Sequence, residues 1–232
     1  MASRVKGKPA SPPRRYDASW RRAQARETQR HIAETARALF LDRGYGATSI
    51  RQIADAAGVA VQTIYNAFEG KPAIVARIAD MAIVGDDEPV ALIDRPHVQA
   101  IGQGTDAGVM VRQWASLCRG IFTRFLPLLP MLGEAAAADS AVRALWRNNA
   151  VTNRHAETKI FVTHLATLVE LPEGLDIERA TDLLWAYASF ETAEALIVER
   201  GWTPDDYETW TAQAICRILG IDGGNRARPL DP

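Results

Sequence analysis

Gln62 and Asn66 are amide side chains four positions apart, a spacing that sets two residues on one face of a helix. An amide offers a donor and an acceptor side by side, which matches the major-groove edge of adenine. Ile64 and Phe68, also four apart, define the opposite, core-facing side of the same short helix, roughly Val61 to Phe68. Val61, Gln62, Thr63, Tyr65 and Asn66 are left for solvent or a DNA face. Elsewhere no nucleophile, base and orienting group can be assembled from motifs. Cys118 and Cys216 form no CxxC pair, and His155 and His164, nine apart, do not share a helical face. Neither a disulfide framework nor a metal site is indicated, and no cofactor is expected.

A helix that reads DNA must be held by others. Thr48 is a plausible N-cap for a preceding helix whose inward positions are Ile50, Ile53 and Ala54. Ala57-Gly58-Val59 then breaks it, glycine suiting a turn that needs positive φ. Ala54 is small where the two helices approach, and Ile64 plugs the second onto the first, the pattern of a helix-turn-helix. Two short helices around a glycine also form ordinary packing corners, so the flanks decide. Upstream, Ile32, Ala36, Leu39 and Phe40 mark an amphipathic helix over 19–43 that Gly44 and Gly46 end. A three-helix unit results.

Leu39-Phe40, Arg43-Gly44-Tyr45, Thr48, Ile50, Ile53-Ala54, Ala57-Gly58-Val59, Thr63, Ile64-Tyr65, Phe68 and Lys71 together resemble the tetracycline-repressor (TetR) family of bacterial transcription regulators. The resemblance covers about 35 residues. It implies an all-α homodimer with a small-molecule pocket in each subunit, and backbone-phosphate contacts at Thr48, Thr63, Tyr65 and Lys71. Many members carry serine where Ala60 stands; Ala60 cannot cap the reading helix by side chain.

Residues 1–80 hold 14 Lys and Arg against seven Asp and Glu, whereas 81–232 hold 13 against 21, a division hidden by the net charge of −1. The excess lies in Arg4, Lys6, Lys8, Arg14, Arg15, Arg21, Arg22, Arg26 and Arg30, suited to phosphate contact beside a helix-turn-helix. Pro9, Pro12, Pro13 and Gly7 argue for a disordered basic arm over 1–18, followed by a DNA-binding domain over 19–84, a helical effector-binding and dimerisation domain over 85–220, and a flexible tail over 221–232. No run approaches a membrane span, the N-terminus lacks a secretory apolar stretch, and a cytoplasmic protein is expected.

Pro72 to about Val84 reads as a fourth helix linking the reading head to the rest, and Gly85 to Gly104 as a connection with at most short helical turns. Beyond Thr105, Met110, Trp114, Leu117, Ile121 and Phe125 form an apolar stripe, interrupted by Pro127 and Pro130. A helix begins near those prolines. Another runs from Asp139 towards Val169, with Val142, Leu145, Trp146, Ala156 and Ile160 inward and Asn149 and Asn153 on the same face. Amides in an apolar stripe need partners. Either they bond backbone or water in a closed core, or Met110, Trp114, Phe125, Trp146, Asn149 and Asn153 line an effector pocket; the resemblance favours the pocket.

Residues 177–198 are apolar on nearly every side, so a helix there needs covering all round. Leu183, Ala186, Phe190, Ala193 and Ile197, with Tyr207, Trp210 and Ile218 of a final helix capped by Thr203, form the expected homodimer interface, a four-helix bundle with the symmetry mate. A monomer with one larger core is the alternative. The reading is therefore a homodimeric, ligand-responsive repressor and not an enzyme. Its partners are a double-stranded palindromic DNA operator and a small-molecule effector, with no membrane. A small all-α enzyme, or a constitutive DNA-binding dimer, are the alternatives.

Overall fold

The computed structural model describes residues 16–221. Every regular element among them is helical. Helix α1 (Tyr16–Arg43) starts three residues before the expected 19, and the rest of the basic arm lies outside the described residues, as does the tail after Ile221. Ile32, Ala36 and Phe40 of α1 are buried against Ile53 and Ala54 of α2 (Ile50–Ala57) and Ile64 of α3 (Val61–Ala67). Gly58 ends α2 at φ 65, where a Cβ would strain the backbone.

Thr48 does not cap α2. Ser49 does, its hydroxyl accepting from the Gln52 N–H while the Gln52 side chain accepts from the Ser49 N–H at 2.7 Å. This capping box is worth about 1 kcal/mol. Thr48 is instead buried, its Oγ1 donating to Gly44 O at 2.9 Å and so fixing the α1–α2 turn. Ala60 precedes α3 without a side-chain cap, as its chemistry requires. Two bonds from α1 hold the short helices at their other ends: Gln29 Nε2 donates to Ala67 O at 3.1 Å, and His31 Nε2 donates to Ala57 O at 3.1 Å. They satisfy carbonyls that the short helices leave open.

Helix α4 (Lys71–Val84) follows, with Pro72 in its first turn. The connection carries a 3-10 turn, Leu92–Asp94, and the two-turn α5 (Pro96–Gly102). Helix α6 (Ala107–Phe125) packs against α4 and α12 (Pro204–Leu219). A 3-10 turn, Leu126–Leu128, separates it from α7 (Leu129–Ala138). Residues 107–138 are, among the described residues, the one stretch long and apolar enough by composition to cross a membrane. Its buried positions, such as Met110, Phe122 and Leu132, lie within the protein's own core.

The helix expected from Asp139 towards Val169 is α8 (Ser140–Arg147) and α9 (Arg154–Leu165), joined by a π-helical turn, Asn148–Asn153. The extra residue of a π turn rotates everything after it. Ala156 and Ile160 therefore face outward, Ile160 being 61% exposed, while Thr158, Phe161, Val162 and Leu165 face inward. The apolar run over 177–198 is likewise interrupted. Helix α10 (Ile177–Tyr187) stops, and Ser189 caps α11 (Phe190–Ala193), which continues as a π turn, Glu194–Glu199. One apolar cluster extends from Ile32 through Ile74 to Phe125 and Phe190. A second gathers Met110, Val111, Phe161, Leu184 and Ile215.

Candidate nucleic-acid interface and internal cavity

On α3, Gln62, Tyr65 and Asn66 are exposed and Val61 and Thr63 are half-buried, while Ile64 has no exposure. Gln62 Nε2 donates to Asn66 Oδ1 at 3.0 Å, so the two exposed amides hold each other on the outer face and each keeps hydrogen-bonding capacity to spare. Tyr65, 55% exposed, projects from the same helix. These five positions lie on one short helix pinned by α1 and α2, the geometry of an element offered to a groove.

Two residues expected at phosphates point elsewhere. Thr48 is buried and bonded to Gly44. The Lys71 ammonium lies 3.9 Å from the Tyr45 ring centroid and donates to Tyr45 O, reaching the Phe40 ring at 5.9 Å. Burial holds its pKa below the ordinary lysine value, opposed by Asp139 and Glu134. Lys71 ties the start of α4 to the end of α1. Arg30 is also committed, pairing with Glu34 at 2.9 Å and with Glu27 on its own helix.

A cavity of about 340 Å³ opens between α4, α6, α8 and α9. Trp114, Phe125, Trp146 and Asn153 line it, as expected from sequence. Met110 does not: it is fully buried in the second cluster, where a Cβ on Gly104 would collide with it. The side chain of Asn149 lies outside the described residues. Sequence reasoning missed Asp80 of α4, Cys118 and Phe122 of α6, Arg154 and Glu157 of α9, and Phe190. Arg154 and Glu157 are each one residue on from the expected inward face, the offset the π turn introduces. Phe190 packs on Phe125 at 4.5 Å and on Phe122 at 4.9 Å. Burial pushes the Cys118 thiol up to about 12, so it stays protonated and serves as apolar wall.

Three residues assigned to a subunit interface are interior: Phe190, Ala193 and Tyr207 are at most 5% exposed. The break at Ser189 turns Phe190 into the cavity wall instead of onto an outer face. Of the others, Leu183 and Ala186 are exposed, and Ile197, Trp210 and Ile218 half-buried. The exposed apolar surface beside them includes Tyr187, 5.6 Å from Trp210, and Val198, 62% exposed.

The chain is thus an N-terminal helix-turn-helix with two outward amides, joined by α4 to a helical body that encloses a cavity. Residues 32–78 match the family model of bacterial regulatory proteins, tetR family. Among solved structures, the fatty acid degradation regulator FadR from Bacillus halodurans is similar at TM-score 0.63 and 15% identity, covering 87% of this chain and 97% of that one. FadR from Bacillus subtilis in complex with stearoyl-CoA gives 0.59 and 17%, covering 84% and 98%. SmeT, the repressor of the Stenotrophomonas maltophilia efflux pump SmeDEF, gives 0.58 and 16%, covering 88% and 97%. At such identities the likeness is one of fold. No curated protein matches the chain.

Proposed function

We propose that this protein is a homodimeric transcriptional repressor released from a palindromic operator when a small organic effector enters the cavity. The observation that carries this reading is that Val75, Ala79, Asp80, Ile83 and Val84, all on α4, form one wall of the cavity. The same helix begins at Lys71, which grips the α1–α2 turn. A molecule that fits one placement of α4 better than another shifts the reading heads by that difference in affinity and by nothing else. FadR from Bacillus subtilis, a transcriptional regulator of similar fold, is known in complex with stearoyl-CoA, a precedent for ligand binding in this fold.

Dimerisation would use the face of Leu183, Ala186, Tyr187, Val198 and Trp210, and would place two α3 helices in successive major grooves about 34 Å apart. Selection of operator DNA from random sequence, followed by titration of candidate effectors against the complex, tests the proposal. A palindromic consensus whose complex dissociates with an effector, in wild type and not in Trp114→Ala, is the expected result. A complex insensitive to every molecule found to bind the cavity would leave a constitutive DNA-binding dimer.

A further inference from the structure

The charges in the cavity are unequal. Asp80 and Glu157 are its acidic lining residues and Arg154 its one cationic lining residue among those described. The Arg154 Nη1 donates to Trp185 O at 2.8 Å and to Ala188 O at 2.5 Å, closing the carbonyl end of α10. Its guanidinium also lies 4.9 Å from the Trp185 ring centroid. That cation is thus aimed at helix carbonyls, where the α10 dipole is negative, and an anionic ligand would have to compete with them. Asp80 is held by Arg77 at 2.8 Å.

Glu157 differs from both. Among the described residues its carboxylate makes no hydrogen bond and no ion pair. The space it lines is walled by Trp114, Phe122, Phe125, Trp146 and Phe190, of which the last four form one ring cluster with centroid distances such as 5.7 Å for Phe125–Trp146 and 5.6 Å for Trp146–Phe190. Aromatic faces carry negative quadrupoles and attract cations, most strongly where water is excluded. A carboxylate beside apolar groups, only partly offset by the Arg154 guanidinium, gains from a further counter-charge. Glu157 lines the cavity and keeps exposed surface; partial desolvation raises its pKa against the opposing charge of Arg154, so a cation in the cavity would complete it. Across the Trp146–Phe190 wall a second hollow carries Glu191 and Glu194, adding to the negative field.

We infer that the effector of this cavity is a lipophilic aromatic monocation, its ring system between the indole and phenyl faces and its charge against Glu157. The inference rests on the cavity being the effector site and adds the ligand's chemical class. The cavity volume of about 340 Å³ lies at the lower end of the range for drug-sized molecules, which fits a few fused rings and not a long acyl chain. No hydrogen-bond donor on the ligand is required, so a quaternary nitrogen suffices.

The experiment titrates the full chain with two flat compounds of one shape, the permanent cation N-methylacridinium and its neutral counterpart 9-methylanthracene, read by fluorescence. The cation is expected to bind at least about tenfold more tightly than the neutral compound. Glu157→Gln should abolish that preference without changing affinity for the neutral compound, and Glu157→Asp should retain part of it. Equal affinity of the two compounds for the wild type, or a preference that survives in Glu157→Gln, would overturn the cationic class while leaving the cavity a binding site. Binding of neither compound, or binding unaltered by Trp114→Ala, would overturn both the class and the assignment of the cavity.

Discussion

The Tyr45 hydroxyl donates to Asp139 Oδ2 at 3.1 Å, joining the α1–α2 turn to the start of α8 across 94 positions of sequence. Beside it, Glu134 Oε1 accepts from the Gly46 N–H at 2.8 Å, and a Cβ on Gly44, at φ +88, would lie 2.8 Å from Glu134 Oε2. The reading unit is therefore held at this turn by α7 and α8, and α8 places Trp146 in the cavity wall. Burial and Asp139 push the Tyr45 phenol above its ordinary pKa, so it remains a donor at neutral pH. The cavity wall and the helix-turn-helix are thus connected through α7 and α8 as well as through α4.

Tyr45→Phe removes the hydroxyl while keeping the ring, which packs 5.3 Å from Phe40. A neutral hydrogen bond of this kind contributes about 1 kcal/mol, so the melting temperature should fall by roughly 2–4 °C. Operator affinity without effector should change little, whereas release by effector should weaken. Thermal denaturation and operator titrations with and without effector check this; an unaltered effector response would confine coupling to α4.

Lys71→Met should lower thermal stability and operator affinity together, with base preference unchanged, because the ammonium holds the Tyr45 carbonyl and ring. A lysine acting only on phosphate would instead weaken DNA binding and flatten its salt dependence at constant melting temperature. Measuring both quantities on one variant separates the two roles.

What could be read from the residues, and what could not, follows from how local each signal is. The Gly58 turn, the inward Ile53, Ala54 and Ile64 and the uncapped Ala60 are fixed within a few positions of sequence, and the structure places them as the pattern predicts. Ser49-Ile50-Arg51-Gln52 carried a capping-box spacing one residue away from the Thr48 chosen as cap. The cavity was only half legible. Trp114, Phe125 and Trp146 precede the π turn and were found; Arg154 and Glu157 follow it and were not, because periodicity assumes an uninterrupted 3.6-residue helix. Phe190 was misplaced for a similar reason: Ser189 ends one helix and starts another, and an apolar run alone does not reveal that.

Gln62→Ala and Asn66→Ala should each relax preference at particular symmetric positions of the operator, a loss of roughly 1–3 kcal/mol in discrimination for each good amide–adenine pair. Because the two amides hold each other at 3.0 Å, either substitution also frees its neighbour, and the double variant should show less than the sum of the single effects. Base-by-base selection on the three variants decides the matter. Preferences identical to wild type in both single variants would remove α3 amides from sequence reading.

The dimer face is tested at positions whose side chains are on the surface. Val198→Glu and Leu183→Glu should fold and sediment as monomers with operator binding lost, since Val198 is 62% and Leu183 40% exposed. Phe190→Glu, by contrast, should be insoluble or unfolded, as it puts a charge into the core at a 5% exposed position. Analytical ultracentrifugation distinguishes these outcomes, and soluble dimers of both surface variants would move the interface elsewhere.

Glu157 also links stability to pH in a direction opposite to that of a salt-bridged carboxylate. Burial raises its folded-state pKa above the ordinary value, only partly offset by Arg154, with Asp80 the other acidic group on the cavity wall. Between the ordinary and the raised value the folded chain keeps a proton that the unfolded chain has released, so this group's contribution to stability falls as pH rises through that window. Below the window the penalty is absent; above it, the penalty is complete. Glu157→Gln abolishes the titration and should therefore melt higher than wild type at about pH 7.5, the advantage shrinking as pH approaches about 4. N-methylacridinium, by neutralising the carboxylate, should narrow the same gap at about pH 7.5 through the wild type alone. A Gln variant less stable than wild type at neutral pH would mean that Glu157 is held by a counter-charge of the protein's own, and the ligand would then have no electrostatic deficit to fill.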